Sequence, residues 1–492
     1  MVAVFALVAL LIVALLGGVH WYVWRRMVRD VTAAGGWPRR IGTWAVVALP
    51  LLSVGALVSG RAGAPFTVQR LLAWPGYMWL AVLLYLTLAL IVGEAVRPLL
   101  TRALERRARR ADRATAAPRI PGSTAVTSAE AAPTASAPPV AGTPTPPLVP
   151  HGPSTATTAP AAAPAPNGPS TATAPDATPV GPDPDPDTSP GPDSADPGPG
   201  TTSSPDPVPD VASAPAAVTS RRLFVARGVA VGAGAVAAAT VGYGTYGVLR
   251  GPRVKRVTVP LAKLSRRAHG YRIAVVSDIH LGPILGRSHT QRIVETINRV
   301  NPDLVAVVGD LVDGTVADLG PAAEPLRHLR ARDGSFFVTG NHEYFSGADA
   351  WVDHVRELGL RPMENERTEL PGFDLAGVND IAGEDEGKGP DFARALGDRD
   401  RSRAAVLLAH QPVVIHDAVR HGVDLQLSGH THGGQLWPGN YLAELANPTV
   451  AGLERYGDTQ LYVSRGAGAW GPPVRVGAQS DITVVQLASP HA

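Results

Sequence analysis

The sequence predicts an α/β domain preceded by transmembrane helices and a disordered linker, and three observations carry that expectation. Three apolar stretches open the chain, at residues 2–24, 41–60 and 71–93. From residue 120 to 220 there is neither Lys nor Arg, and Pro, Ala, Thr, Ser and Gly dominate. Beyond about residue 255, short β-branched runs alternate with helix-like stretches, the texture of an α/β domain.

Each opening stretch is long enough to cross a hydrocarbon core of roughly 30 Å as a helix. The first lacks the basic lead of a signal peptide and ends in Trp21, Tyr22 and Trp24 before Arg25 and Arg26, which resembles an interfacial anchor. Arg25, Arg26, Arg29, Arg39 and Arg40 follow the first stretch, Arg61 and Arg70 the second, and an arginine cluster between 97 and 113 the third. The positive-inside rule then makes the first and third exits cytoplasmic, with the N-terminus outside. Residues 1–96 are thus three transmembrane helices.

Residues 97–219 read as a basic juxtamembrane segment running into a disordered, partly polyproline linker with the near-repeats GPSTATTAPAA and GPSTATAPDA. Such a composition cannot bury enough apolar surface to offset its ordering entropy. Residues 220–250 begin SRRLFV and continue as Ala, Gly and Val. This fourth membrane segment is either an ordinary spanning helix with a basic flank or an internal twin-arginine-like export signal. Both place residues 251–492 outside the cytoplasm, although Arg250, Arg253, Lys255 and Arg256 weigh the other way, and the run AVAAAT also suits cleavage.

In the last domain the runs YRIAVVSD, DLVAVVGD, SFFVTGN, RAAVLLAH and VDLQLSGH are short and hemmed by Asp, Gly or Asn, so they read as strands. Residues 287–300 place Ile293, Ile297 and Val300 on one helical face. Every one of the five strands ends in residues able to bind metal: Asp278 and His280, Asp310 and Asp313, Asn341 and His342, His410, and His430 and His432. Singly, each is an ordinary cap or turn residue. Five in order change the odds, because turns do not require His at separate strand ends, and the carboxyl ends of strands in an α/β sheet share one edge.

Net charge is +2 with basic residues gathered beside the apolar segments, which argues against a nucleic-acid partner, and the loop at 383–391 is acidic where a nuclease would be basic. The chain has no Cys, so any metal must be held by His, Asp, Glu or Asn.

The order D-x-H, G-D-x-x-D, G-N-H-E, a lone His and G-H-x-H, from Asp278 to His432, resembles the calcineurin-like metallophosphoesterases over roughly residues 272–487. GHTHGGQLWP and SRGAG are similar to the membrane-attached branch, the transmembrane proteins with a metallophosphoesterase domain, whose acidic tail here reads GAQSDITVVQL. The resemblance implies a four-layer α/β/β/α sandwich. It also implies two divalent ions, Mn, Fe or Zn, one on Asp278, His280 and His432, the other on Asn341, His410 and His430, bridged by Asp310. A shared carboxylate between two cations is electrostatically natural. His342 is then the candidate proton donor or transition-state stabiliser, with a structural histidine as the alternative. Asp313 and Glu343 would orient ligand imidazoles. Gly429, Gly433 and Gly434 would admit close backbone approach, or are plain turn glycines. The implied reaction is hydrolysis of a phosphate ester or lipid-linked pyrophosphate by metal-activated hydroxide, with a phospholipid or a UDP-diacylglucosamine-like compound as substrate and the bilayer as partner. The enzyme would be a multi-pass cell-membrane protein with its catalytic domain outside. The alternatives are a catalytically silent receptor or scaffold on the same fold, and a nuclease.

Overall fold

The computed structural model describes residues 2–115 and 216–492. Four long helices come first: α1 (Val2–Trp24), α2 (Trp37–Ser59), α3 (Phe66–Thr115) and α4 (Ala216–Leu249). All four are long and apolar enough to cross a membrane. Small residues let α2 and α3 touch, and the Ser53 hydroxyl donates to the Gly76 carbonyl at 2.7 Å. α3 does not stop near residue 93 but continues as helix through 97–115, because that stretch is rich in the strong helix formers Ala, Arg, Leu and Glu. The disordered linker expected there falls, from residue 116 to 215, outside the described residues.

The remaining elements alternate. They run β1 (Arg253–Pro260), β2 (Arg272–Val276), α5 (Arg287–Arg299), β3 (Leu304–Val308), α6 (Val316–Ala323), β4 (Ser335–Val338), α7 (Asn341–Ser346), α8 (Ala348–Glu357) and β5 (Arg361–Pro362). A second half follows with β6 (Glu366–Leu370), β7 (Phe373–Gly377), α9 (Phe392–Leu396), β8 (Ala404–Leu408), α10 (Ile415–Arg420), β9 (Leu425–Ser428), α11 (Gly439–Ala446), β10 (Gly452–Tyr456), β11 (Thr459–Val463) and β12 (Asp481–Ala488).

They form two six-stranded sheets, ordered β1-β12-β2-β3-β4-β5 and β10-β11-β9-β8-β7-β6. The central strands of each are parallel, as βαβ crossovers require. Alternation along each strand explains the layering. Ile273, Val275, Leu304, Ala306 and Val308 meet Leu375, Val406, Leu408, Leu425 and Leu427 between the sheets. The intervening Ala274, Val276, Val305 and Val307 face Ile293, Ile297, Trp351 and Val355 of α5 and α8. On the far side Ala376, Leu407, Leu461 and Val463 face α9 and α10 through Leu396 and Ile415. This is the four-layer α/β/β/α sandwich. Both faces of the inner strands are dry, so they read as continuous apolar runs rather than as alternation.

Candidate metal centre

The five strand ends do meet, but across two sheets rather than along one. β2, β3 and β4 of the first sheet and β8 and β9 of the second terminate at the same edge. Backbone bonds lace the ends together, from Asp278 N to Gly309 O at 3.1 Å, His280 N to Asp310 O at 3.1 Å and Gly429 N to His410 O at 2.9 Å. The His430 amide donates to both Asp278 carboxylate oxygens, at 3.0 and 3.2 Å, tying β9 to β2.

Asp278, His280, Asp310, His430 and His432 all have left-handed backbone, φ between 49° and 73°, which aims their side chains back into the gap between the sheets. That conformation is costly for any residue with a Cβ and clusters at functional sites. Two glycines make room. A Cβ on Gly309, itself at φ 74°, would run into His410, and one on Gly429 would overlap Ser277 and Asp278. Gly433 and Gly434, at φ 61° and 80°, are turn glycines.

The ring nitrogens sort into those that are engaged and those that are aimed inward. His410 Nδ1 faces the Val308 carbonyl at 2.9 Å, and because a carbonyl only accepts, Nδ1 carries the proton and Nε2 the lone pair. That Nε2 is buried without a hydrogen bond, although Asp310 Oδ2 lies 3.1 Å away. His280 Nδ1 sits 2.9 Å from Asp313 Oδ1, which leaves its Nε2 pointing at His432 Nε2, 3.0 Å away, with Asp310 Oδ2 at 3.7 Å. His432 Nε2 is also 3.4 Å from Asp278 Oδ1. On the other side His430 Nδ1 is 3.0 Å from Asn341 Oδ1. Three overlapping groups of donor atoms therefore converge among the described residues: Asp278, His280 and His432; Asp310, His410 and His430; and, between them, His280, Asp310 and His342. Lone pairs facing lone pairs in a buried pocket fit a cation between them, and the O and N donor set suits Mn, Fe or Zn.

The charges agree with that fit. Burial alone would lower His280, but Asp313, Asp310 and Asp278 carry it up to about 9. His410 is likewise driven well above its usual value, against burial, chiefly by Asp310. Asp310 is held well below the carboxylate range, again despite burial, by His410 and His280. Protons and metal ions compete for the same lone pairs, so these rings mark where the carboxylates concentrate positive charge. Burial, with His410 alongside, pushes His430 down to about 4, and burial with His280 and Arg475 holds His432 well below its usual value, so both rings are neutral near pH 7.

Asp313 touches two imidazoles through one oxygen, His280 Nδ1 and, at 2.7 Å, His342 Nδ1. Against the push of burial, these two rings draw it down to about 2. Glu343 does something other than orient an imidazole. Its carboxylate accepts from the backbone amides of Gly340 at 2.6 Å, Leu311 at 2.8 Å and Asp310 at 3.0 Å, clamping the ends of β3 and β4 together.

Sequence reasoning missed Arg475. Its buried guanidinium donates to the carbonyls of Gly468 at 2.6 Å and His432 at 3.0 Å and lies 3.2 Å from His432 Nδ1. A lone Arg after GPPV carries no motif. In SRGAG, Gly466 and Gly468 pack directly beneath Asp278 and Ile279. A cavity of about 630 Å³ opens beside the cluster. His280, Asp313, His342 and Trp470 line one side, and α2 (Ala56, Leu57), the turn after it (Arg61) and α3 (Gln69, Tyr77) line the other.

Residues 271–434 match the family model for calcineurin-like phosphoesterases. An uncharacterized metallophosphoesterase of Helicobacter pylori is 38% identical over 255 residues, 51% of this chain and 68% of its own length. This chain belongs to the calcineurin-like metallophosphoesterase family. The family hydrolyses phosphoric esters and normally binds a dinuclear metal centre. A transmembrane protein with metallophosphoesterase domain from Danio rerio is 40% identical over 260 residues, which is 50% of this chain and only 59% of that protein. An uncharacterized metallophosphoesterase of Bacillus subtilis is 31% identical over 283 residues, 55% of this chain and 98% of its own.

Proposed function

We propose that this metallophosphoesterase is anchored in the cell membrane and holds two divalent ions, Mn, Fe or Zn. Asp278, His280 and His432 would hold one, Asn341, His410 and His430 the other, with Asp310 between them. The observation that carries this reading is the 3.0 Å approach of the His280 and His432 Nε2 atoms while His280 Nδ1 is committed to Asp313. Such a metal pair acidifies water near neutral pH and neutralises phosphoryl oxygens during in-line attack. The protein residues do the rest. Asp313 fixes the tautomers of His280 and His342. His342 lines the cavity with Nδ1 on Asp313, and as the imidazolium, with both nitrogens protonated, it would give its Nε2 proton to the ester oxygen as the bond to phosphorus breaks, leaving the neutral ring with Nδ1–H on Asp313. Trp470 and Phe345, each with its ring centroid 5.7 Å from that of His342, flank it and exclude water.

The substrate we favour is a phosphate ester or pyrophosphate with a lipid portion, such as a phospholipid or a diacyl sugar nucleotide. The support is the cavity wall contributed by α2 and α3, in which apolar Ala56 and Leu57 sit beside Arg61 and Gln69. Helix ends support an extracytoplasmic catalytic domain. Arg26 pairs with Glu94 at 2.8 Å and Arg227 reaches the Val31 carbonyl at 3.1 Å, so the arginine-rich ends of the helices lie at one level, opposite the end that carries the domain.

Dialysis of the full chain against a strong chelator should abolish hydrolysis of bis(p-nitrophenyl) phosphate, and Mn or Zn should restore it. Asp310→Asn should lose both ions rather than one. Undiminished activity in metal-free protein, or a variant still holding two ions per chain, refutes the proposal.

A further inference from the structure

Of the helices α5 to α11, α11 is the one with no buried side chain. What it exposes is apolar. Leu445 is 84% exposed, Leu442 72%, Tyr441 59%, and Trp437 just ahead of the helix 50%. At about 100° per residue, Tyr441, Leu445 and Leu442 share one arc of roughly 100°. Asn440, on the other side, rests against the Gly433–Gly434 turn, where a Cβ on Gly434 would strike its backbone. The helix thus turns Gly439, Asn440 and Ala443 to the protein and Tyr441, Leu442 and Leu445 away, with Glu444 exposed at the edge of that apolar arc, the reverse of a surface helix in water.

The apolar face is continuous with the helical bundle. The Tyr85 hydroxyl of α3 donates to the Trp437 carbonyl at 3.0 Å. Leu436, Val474 and Val476 pack in one apolar cluster with Leu83, Leu86 and Leu90 of α3 and Val241 of α4. Tyr85 lies nine residues from Glu94, roughly 13 Å along the helix axis, and Glu94 pairs with Arg26 at the basic end. The start of α11 is therefore held alongside α3, partway along its length, within the depth of a hydrocarbon core of about 30 Å.

We propose that α11 is an interfacial membrane helix. On the side of the bilayer that carries the domain, it sets Leu442 and Leu445 among the acyl chains, with Trp437 and Tyr441 on the same apolar surface. Because its floor is the turn that follows His430 and His432, the inserted helix and the candidate metal cage are built on one loop. The edge of the site faces lipid rather than open water. This rests on the helices α1 to α4 crossing the bilayer, and the test separates the two.

The chain has no cysteine, so a single introduced one reports one place. Full-length Leu445→Cys, labelled with an environment-sensitive nitrobenzoxadiazole and reconstituted in phosphatidylcholine–phosphatidylglycerol vesicles, is challenged with aqueous iodide or with lipid carrying a nitroxide high on its acyl chain. Val54→Cys, on the exposed face of α2, and Asp458→Cys, at a fully exposed turn, are the references. The expected result is a Leu445 probe quenched by nitroxide lipid and shielded several-fold from iodide relative to Asp458. Iodide access equal to that of Asp458, with Val54 quenched by lipid, overturns the insertion of α11 alone. Iodide access at Val54 overturns the spanning helices and the inference with them. Shielding from both quenchers at Leu445 rejects lipid in favour of a protein occupant, such as a second copy of the chain.

Discussion

Replacing Asp313 by Asn should weaken metal binding without disturbing the fold. Asp313 Oδ1 serves His280 Nδ1 at 2.9 Å and His342 Nδ1 at 2.7 Å. Asn keeps an oxygen at that position, so both hydrogen bonds survive in outline and only the charge is lost. A hydrogen bond to a charged group contributes about 1.5–3 kcal/mol, a neutral one about 0.5–1.5, so each bond loses about 1–1.5 kcal/mol. Asp313 is also the foremost of the carboxylates that raise the basicity of His280, so its loss makes that ring a poorer donor. Together these predict roughly ten- to hundredfold weaker metal affinity, the usual range for a carboxylate behind a ligand histidine. The assay is metal content of the full chain after equilibration against graded free Mn or Zn, with thermal unfolding as the control for fold. An Asn variant that binds both ions as tightly as the native chain would refute the argument, because it would mean that geometry alone and not charge prepares His280.

His342→Gln should lower kcat by roughly 10²–10⁴ with metal content unchanged. The deficit should be smaller for a p-nitrophenyl ester, whose leaving group needs no proton, than for an alkyl ester; equal deficits would argue for a structural histidine instead. His289, buried in α5 with neither ring nitrogen partnered, is pushed down to about 3 by burial, with Arg292 and Arg475 adding to it. Since the unfolded chain takes up that proton first, near pH 6.5, stability falls as pH drops below that value, by about 2 kcal/mol at pH 5. His289→Leu should flatten the loss of denaturation midpoint between pH 7 and pH 5, and an unchanged slope would sink the assignment.

The candidate ligands were legible because each follows an apolar run within a few residues, and a strand must deliver whatever follows it to its own end. Which sheet each strand joins was not legible. Val305 and Leu407 look alike in sequence, and only the pairing of β3 with β2 and of β8 with β7 separates them. Glu343 stood beside His342 and so suggested an imidazole partner, yet in the first turn of α7 its side chain reaches back to the Gly340 amide, as acidic residues at helix starts do. Arg475 could not be found from sequence at all, because its partners Gly468, His432 and Ala478 come together only when β12 inserts beside β2.

Among the described residues eight non-glycine positions have left-handed backbone, and six of them, Asp278, His280, Asp310, His430, His432 and Gln435, stand at this one edge. Each costs of order 1–3 kcal/mol, and none can be relieved by glycine without losing the side chain that the position exists to aim. The same residues face one another with like lone pairs and buried carboxylates. Two costs therefore coincide, and a cation relieves the electrostatic one. The folded chain should bind metal where the unfolded chain does not, so free metal at a hundred times its dissociation constant should stabilise the domain by about 2.7 kcal/mol for each ion. Thermal unfolding of the full chain with Mn or Zn against chelator measures this. An unfolding temperature indifferent to metal would mean that the strained edge is held by its own hydrogen bonds alone, as with the Glu343 clamp and Arg475, and that the inward-facing lone pairs are not a cage.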